Sequence, residues 1–516
     1  MKRFLTTLVT VLVLTAALAV TASASTYDAA AEDLSKIGMF RGTEQGFELD
    51  RAPTRSEAAI MLVRLYGAEE KAAEDYAAGT ISHPFTDVSD SVAPYVAWLY
   101  TNGITKGTTE TTFTSRASCG SQQYVVFLLR ALGYQDGKDF EYADALNFAM
   151  TKGLFETSML GGTFLRDDLA AVTYQALGTD LKDGSTYLLD SLVESGSVDA
   201  EAAKPITEKI ETYRALLDAS SATMSGNVDA DFDMTMKLNM AMDATESGTT
   251  SSDSMQMDLT GKGQIQMILS GEQPQLALSM EMSTMGETMV MKEWLKDGWI
   301  YMESDGSSYK YKLEGMDEFL SSYQQLLDMS TQMSGAMLPM VDTITAKTSG
   351  TSTIYTLTMN DAMAGMVNDL LSTLTGVLPE EQMAGLDLAL NLKDCSYVYT
   401  VTNGQLKDCT ASMDMDMTMN IDAGEGTSAS LKMNCTADVA LTINATGDSV
   451  KITYPDFSKF EEIDTTLTPE VQAVYITKTG SHYHYDPNCN GGTYYESTLE
   501  EATSLGLTPC AKCVLN

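Results

Sequence analysis

The sequence predicts a multidomain chain: an all-α region of helical repeats, then an α+β domain with a curved antiparallel sheet packed on helices, then a small metal-stapled module. A degenerate helix-loop-helix unit recurs between residues 30 and 178. From residue 228 the apolar pattern becomes a strict alternation, as in half-buried strands. The C-terminal tail gathers two pairs of nitrogen and sulfur ligands, His484 with Cys489 and Cys510 with Cys513.

The chain opens "MKRFLTTLVTVLVLTAALAVTASAS", with Lys2 and Arg3 ahead of an apolar run and small residues from Ala22 to Ala24. That is the pattern of a secretory signal peptide over residues 1–25. A membrane anchor is the alternative, but the run is short for a bilayer span and is interrupted by threonines. No later stretch is apolar enough to cross a membrane, so the mature protein is expected outside the cell with no membrane span. Its 32 Lys and Arg against 71 Asp and Glu give a formal charge of -39. Such a surface repels nucleic acid and anionic lipid headgroups, and neither is expected as a partner. Seven cysteines in 516 residues are too few and too unevenly placed for a disulfide framework.

Within residues 26–184 three units are expected, at about 30–67, 85–134 and 139–178. "LSKIGMFRG", "LYTNGITKG" and "FAMTKGLFE" each read as the end of a helix stopped by glycine and followed by a short apolar turn. A loop with Phe47, Phe113 or Phe164 follows, and then a second helix: "TRSEAAIMLVRLYG", "GSQQYVVFLLRALGY" or "LRDDLAAVTYQALG". Thr54 with Glu57 makes a capping box, which sets Arg55 in the first helical turn.

"FTDV" at 85–88, Trp98, the "NGITKG" turn at 102–107 and "TRSE" at 54–57 carry a resemblance to the S-layer homology domains. Three of these in tandem usually anchor secreted proteins of Gram-positive bacteria to cell-wall polysaccharide. The resemblance implies a place at the cell wall and S-layer surface, and a partner in the secondary cell-wall polysaccharide, a pyruvylated glycan. Carried over by position, it implies that Arg55, Asp87, Trp98, Gly107 and Arg166 form the polysaccharide-binding positions. A guanidinium beside the N–H groups of a helix start suits a carboxylate. The second repeat departs from the pattern, with Ser121 where the arginine would stand.

Residues 185–204 are acidic and small and read as a linker or a short joining helix, with a helical stretch after Pro205. In the following domain, 205–465, Val228, Phe232, Met234, Met236, Leu238, Met240 and Met242 share one face of the first strand. The alternation recurs in segments such as "SMQMDL", "LALSMEM", "WIYMES" and "CTASMDMDMTMNI", with tight turns at 297–298, 403–404 and 424–426. Two helical intervals, "MDEFLSSYQQLLDMSTQM" and "NDAMAGMVNDLLSTLTGVL", interrupt the strands. By topology the arrangement is similar to the lipoprotein-carrier superfamily, which implies a greasy cavity. Most of the 33 methionines lie here on the inward face, as a plain core or as the lining for an apolar ligand.

No nucleophile elbow, Walker loop, dinucleotide turn or complete calcium loop occurs, and no histidine lies between His83 and His482. The middle domain is therefore expected to bind or to build rather than to catalyse. The alternatives are a wall-anchored hydrolase using its carboxylates, or a carrier of an apolar ligand.

In the module at 470–516, two ligand pairs supply four donors, which fits a closed tetrahedral zinc site of structural rather than catalytic type. A disulfide between Cys510 and Cys513 is the rival use of those thiols. His482, two residues before His484, would project from the other side of a strand. The segment "VYITKTGSHYHYDPNC…LEEATSLGLTPCAKC" resembles a small module found at the ends of bacterial secreted proteins and some nucleases. There it accompanies a catalytic domain and does not cut.

Overall fold

The computed structural model describes residues 27–155, 163–224, 226–246, 249–269, 273–304, 306–312, 336–363, 386–424, 427–463, 474–477, 482–485, 489, 494–497, 507–510 and 512–513. The signal peptide, the interval at 316–333, most of that at 360–378 and the tail helix at 499–506 lie outside the described residues.

The N-terminal half is built of helices: α1 (Asp28–Lys36), α2 (Arg55–Leu65), α3 (Glu69–Ala77), α4 (Ala93–Thr101), α5 (Ser121–Ala131), α6 (Ala145–Met150) and α7 (Arg166–Leu177). Gly38, Gly103 and Gly153, after α1, α4 and α6, all take positive φ, the left-handed stop that a side chain would strain. The start of α2 carries both halves of the Thr54 and Glu57 capping box.

Neighbouring units are stitched by backbone. Arg55 N–H donates to Ala117 O at 2.9 Å and Ser56 N–H to Ser115 O at 3.2 Å. The same pair of bonds recurs one unit round, from Arg166 N–H to Arg51 O at 2.9 Å and Asp167 N–H to Leu49 O at 3.1 Å. Each helix start is thereby clamped to the loop of another unit. Apolar helix faces fill the space between, with Leu34, Leu62, Leu128, Leu129 and Tyr124 fully buried.

The stretch read as a linker or a short joining helix is helical and packed. Helix α8 (Leu188–Glu194) buries Leu188, Leu189 and Leu192, a helical apolar stripe hidden in an acidic composition. Helix α9 (Ala200–Met224) begins before Pro205, where the sequence reading had placed the boundary. Asp199 Oδ1 accepts Ala202 N–H at 2.9 Å and caps the earlier start, and the helix runs on through Pro205.

The C-terminal half holds a 12-stranded sheet. Its strands are β1 (Val228–Glu246), β2 (Thr249–Ile268), β3 (Gln275–Thr284), β4 (Glu287–Lys296), β5 (Trp299–Ser304), β6 (Ser307–Lys312), β7 (Val341–Ser349), β8 (Ser352–Met359), β9 (Leu386–Thr402), β10 (Gln405–Gly424), β11 (Thr427–Thr446) and β12 (Glu461–Glu462). The spatial order β12-β6-β5-β4-β3-β2-β1-β11-β10-β9-β8-β7 is two meanders that meet where β11 returns beside β1. The pairs are antiparallel except β12 with β6, so the expected antiparallel sheet is mixed at one edge. Strands of 20 residues, as in β2, β10 and β11, extend about 65 Å.

Along β1, Met234, Met236 and Leu238 are buried while Asp233, Thr235 and Lys237 are exposed, as the alternation requires. Helix α9 covers the end of this face where Val228, Ala230, Val401 and Ile443 meet Leu216 and Ala219. The helical half joins the sheet through Gln175, whose Nε2 donates to Gly153 O at 2.8 Å and whose Oε1 accepts Leu338 N–H at 3.2 Å. On the opposite face, Phe457 and Phe460 pack over Ala277, Trp294 and Tyr301, a covering that the sequence reading missed.

Candidate functional site

The turn 103–106, the start of α2 and the exposed side of α5 enclose a cleft of about 420 Å³. Arg55, Lys106 and Arg130 put three cations into its wall, and Gln123, Phe127, Asp136 and Tyr142 complete it. Gln123, Phe127 and Arg130 are spaced four and three residues apart, so α5 presents them on one face. Arg55 Nε donates to Phe113 O at 3.0 Å, Nη1 to Gln123 Oε1 at 3.4 Å, and the guanidinium lies 5.0 Å from the Phe113 ring centroid. Among the described residues no carboxylate pairs with Arg55 or Lys106, while Arg130 Nη2 holds Asp136 Oδ2 at 2.9 Å. The cleft is thus locally cationic on a chain of charge -39.

The other positions named from sequence are spread around this cleft. Asp87 accepts Phe113 N–H at 2.8 Å and Thr114 N–H at 2.7 Å, which fixes the loop on which Arg55 rests. Gly107 has φ +77° and closes the turn; a Cβ there would stand 2.3 Å from the Phe85 ring. Trp98 packs on Tyr66 with ring centroids 5.4 Å apart and does not line the cleft. Arg166 is 3% exposed, donates to Phe47 O at 2.8 Å and lies 2.6 Å from Glu57 Oε1.

The Glu57 carboxylate also accepts from Arg51 at 2.7 Å and from Thr54 N–H at 2.7 Å. Against the upward push of burial, these bonds and the charge of Arg166 hold its carboxyl down at about 2. One reason offered above for a carboxylate site fails: the first N–H groups of α2 and α7 are committed to neighbouring carbonyls. Sequence reasoning did not select Lys106, Gln123, Arg130, Asp136 or Tyr142. Lys106 lay inside the quoted turn, and the spacing along α5 was the signal for Gln123 and Arg130.

In the tail, β13 (Val474–Ile476) pairs with β15 (Tyr495–Ser497), and β14 (His482–Tyr483) runs parallel to β16 (Thr508–Pro509). These short strands bring His484, Cys489, Cys510 and Cys513 together, with all ligand atoms within 4.8 Å of one another. Cys489 Sγ stands 3.9 Å from Cys510 Sγ, and His484 Nδ1 3.5 Å from Cys513 Sγ. Metal–sulfur bonds of about 2.3 Å in a tetrahedron set sulfur atoms about 3.8 Å apart, and a disulfide would hold them at about 2.05 Å. The group could therefore hold a metal ion, and its donors fit zinc.

Lys512 N–H points at Cys510 Sγ, 3.5 Å away, and this bond first of all lowers the Cys510 thiol from its ordinary pKa. The His484 ring is edge-on to Tyr494 at 4.8 Å, and the Tyr494 hydroxyl donates to the Cys489 carbonyl. His482 is exposed and is not in the group. Cys119, Cys395, Cys409 and Cys435 are free thiols.

Residues 84–114, which contain Asp87, Trp98, the 103–106 turn and Phe113, match the S-layer homology domain. The chain is thus a surface protein with a domain for anchorage to cell-wall polysaccharide. Residues 211–444 match a family of unknown function (DUF6612). No curated protein matches the chain. Among solved structures, the ywiB protein from Bacillus subtilis is 9% identical, covering 41% of this chain and 94% of its own, with a TM-score of 0.10. The outer membrane protein OprG from Pseudomonas aeruginosa is 8% identical, covering 42% and 97%, with a TM-score of 0.11. Scores this low carry no argument about this chain. In the described residues no helix is long and apolar enough to cross a membrane.

Proposed function

We propose that the chain is a non-catalytic wall-anchored protein in which residues 26–184 grip the secondary cell-wall polysaccharide and the sheet domain is displayed outward as a binding or structural body. The observation that carries this is the coincidence of the S-layer homology match with the cationic cleft at Arg55, Lys106 and Arg130. A pyruvylated sugar offers a carboxylate on a compact ring. The Arg55 fork, already braced by Phe113 and Gln123, is pre-organised to accept it, and Lys106 adds a mobile point charge. Tyr142, 47% exposed at the rim, offers an aromatic surface to the ring.

For the tail we propose a structural zinc held by His484, Cys489, Cys510 and Cys513. Four protein donors leave no open coordination position, and so small a module buries too little core to fold unaided.

Several carboxylates on the outward face of the sheet are tied to neighbours, which favours display over hydrolysis. Asp229 accepts from Gln264 and Gln266, Asp416 from Lys393 and Asn434, and Asp438 from Ser412. A carrier of apolar cargo is the second reading, favoured by Met242 and Met255, which stay exposed on the inward face.

The test is cosedimentation of the full chain with purified cell-wall sacculi. Binding that needs both the wall polysaccharide and Arg55 supports the reading; binding that survives removal of the polysaccharide overturns it.

A further inference from the structure

The inward face of the sheet carries sulfur where a core needs only carbon. In register, Met240 of β1 lies opposite Met255 of β2 on one side and Met433 of β11 on the other, and Met433 lies opposite Met417 of β10. Four thioethers therefore stand side by side on four adjacent strands. One row nearer the helices the sequence across the same strands is Met257, Leu238, Cys435 and Met415.

Residues directly opposite on antiparallel strands have Cβ atoms about 4.5–5.5 Å apart. Methionine has a flexible, unbranched side chain, so sulfurs from three neighbouring strands can meet over the middle one without backbone movement. Thioether sulfur is a soft donor and selects copper(I) over hard cations.

Met417 and Met433 lean against the apolar core, but the row runs on past it to Met240 and to the exposed Met255. Where α9 covers the sheet, the inward positions are mainly aliphatic, Val228, Ala230, Val401 and Ile443, with Met267 beside Val228. Methionine replaces them toward the far end, where Met255 is 44% and Met242 48% exposed. Leucine would fill a core there with better-defined rotamers, and an exposed thioether invites oxidation. Cys435 is buried one row away, opposite Leu238 and Met415.

We propose that Met240, Met417 and Met433, with Met255 at the rim, form a site for a soft monovalent cation, copper(I), held by thioether sulfur. The site is independent of the wall-binding cleft.

The test uses the full chain with Cys489→Ser, Cys510→Ser and Cys513→Ser, which removes the thiols of the tail cluster, and silver(I) as a redox-inert probe. The expected result is one silver ion per chain, with shifts of the Met240, Met417 and Met433 methyl resonances. Met240→Leu, Met417→Leu and Met433→Leu together conserve volume and should weaken silver binding at least tenfold while the thermal midpoint stays put. The single Met433→Leu change should give a smaller loss in the same direction. Copper(I) under ascorbate should show sulfur ligation in X-ray absorption and the same dependence on the three methionines. Unaltered affinity in the folded leucine variants, or methyl resonances that do not move at saturating silver, would overturn the proposal.

Discussion

The Glu57 carboxylate stands 2.6 Å from Arg166 Nη1 and 2.7 Å from Arg51 Nη2, whereas no carboxylate among the described residues pairs with Arg55. Arg166 and Arg55 occupy equivalent places in their units, so this one acidic group separates their roles. Replacing Arg166 by Ala breaks a largely buried pair. The expected loss is about 2–3 kcal/mol, below the full buried-pair value because Glu57 keeps Arg51 and is partly exposed. Urea unfolding should register it, and protein that remains folded should still bind the wall. Arg55→Ala should do the reverse, changing stability by less than about 1 kcal/mol and removing wall binding. At Gly107, a new Cβ would meet both the Phe85 ring and, at 2.7 Å, Thr112 O in a left-handed backbone. Gly107→Ala should cost on the order of 1–3 kcal/mol and weaken wall binding as the 103–106 turn shifts.

Helix α7 carries a buried acid, Asp167, and a half-buried one, Asp168, in its first turn. Burial raises Asp167 to about 7 and Asp168 to about 6, while Glu57, which reaches across from α2, sits at about 2. A carboxyl whose folded pKa is raised binds its proton more tightly in the native state, so the two aspartates add stability as pH falls from about 7 toward the unfolded value near 4. Glu57 works the other way, and its contribution is lost between about 4.5 and 2. Hydrogen exchange of α7 should therefore slow from pH 8 to pH 5, relative to the intrinsic rate, and protection should fail below about pH 4; Asp167→Asn should flatten the upper limb.

In the tail the element is the group of His484, Cys489, Cys510 and Cys513, proposed above to hold zinc. Chelation should make residues 474–513 protease-sensitive while helices and sheet keep their protection, and limited proteolysis with mass spectrometry reads this directly. Acid should act like the chelator, because thiolate ligands must be deprotonated.

How far these elements were legible varied with the physics behind them. The capping box, the glycine stops, the alternation of β1 and the two ligand pairs are local patterns, and each can be read within a few residues. The joining helix α8 was one of two readings, but its packing was obscured because Leu188, Leu189 and Leu192 are interspersed with acids and serines, and the start of α9 was obscured because Asp199 outweighs Pro205. The cleft combined local and distant signals: Arg55 could be named, but Arg130 and Asp136 join it in the cleft wall only through tertiary packing of α5 and the loop after it. The pairing of Arg166 with Glu57, 109 residues away in sequence, had no local signature.

Across the whole molecule, a surface of charge -39 gives no general attraction to an acidic wall polymer, so binding must come from a cleft of opposite local charge. That makes the account sensitive to single cations in a way that diffuse adhesion would not be. Gln175 ties the helical half to the segment leading into the sheet through Leu338, so the two halves are held close. The most direct measurement is cosedimentation of the full chain with sacculi, comparing the parent with Arg55→Ala and Arg166→Ala, before and after the wall polysaccharide is stripped. The expected result is binding by the parent and by folded Arg166→Ala, loss of at least tenfold in Arg55→Ala, and loss for every protein on stripped walls. Undiminished sedimentation of Arg55→Ala, or of the parent with stripped sacculi, would contradict it.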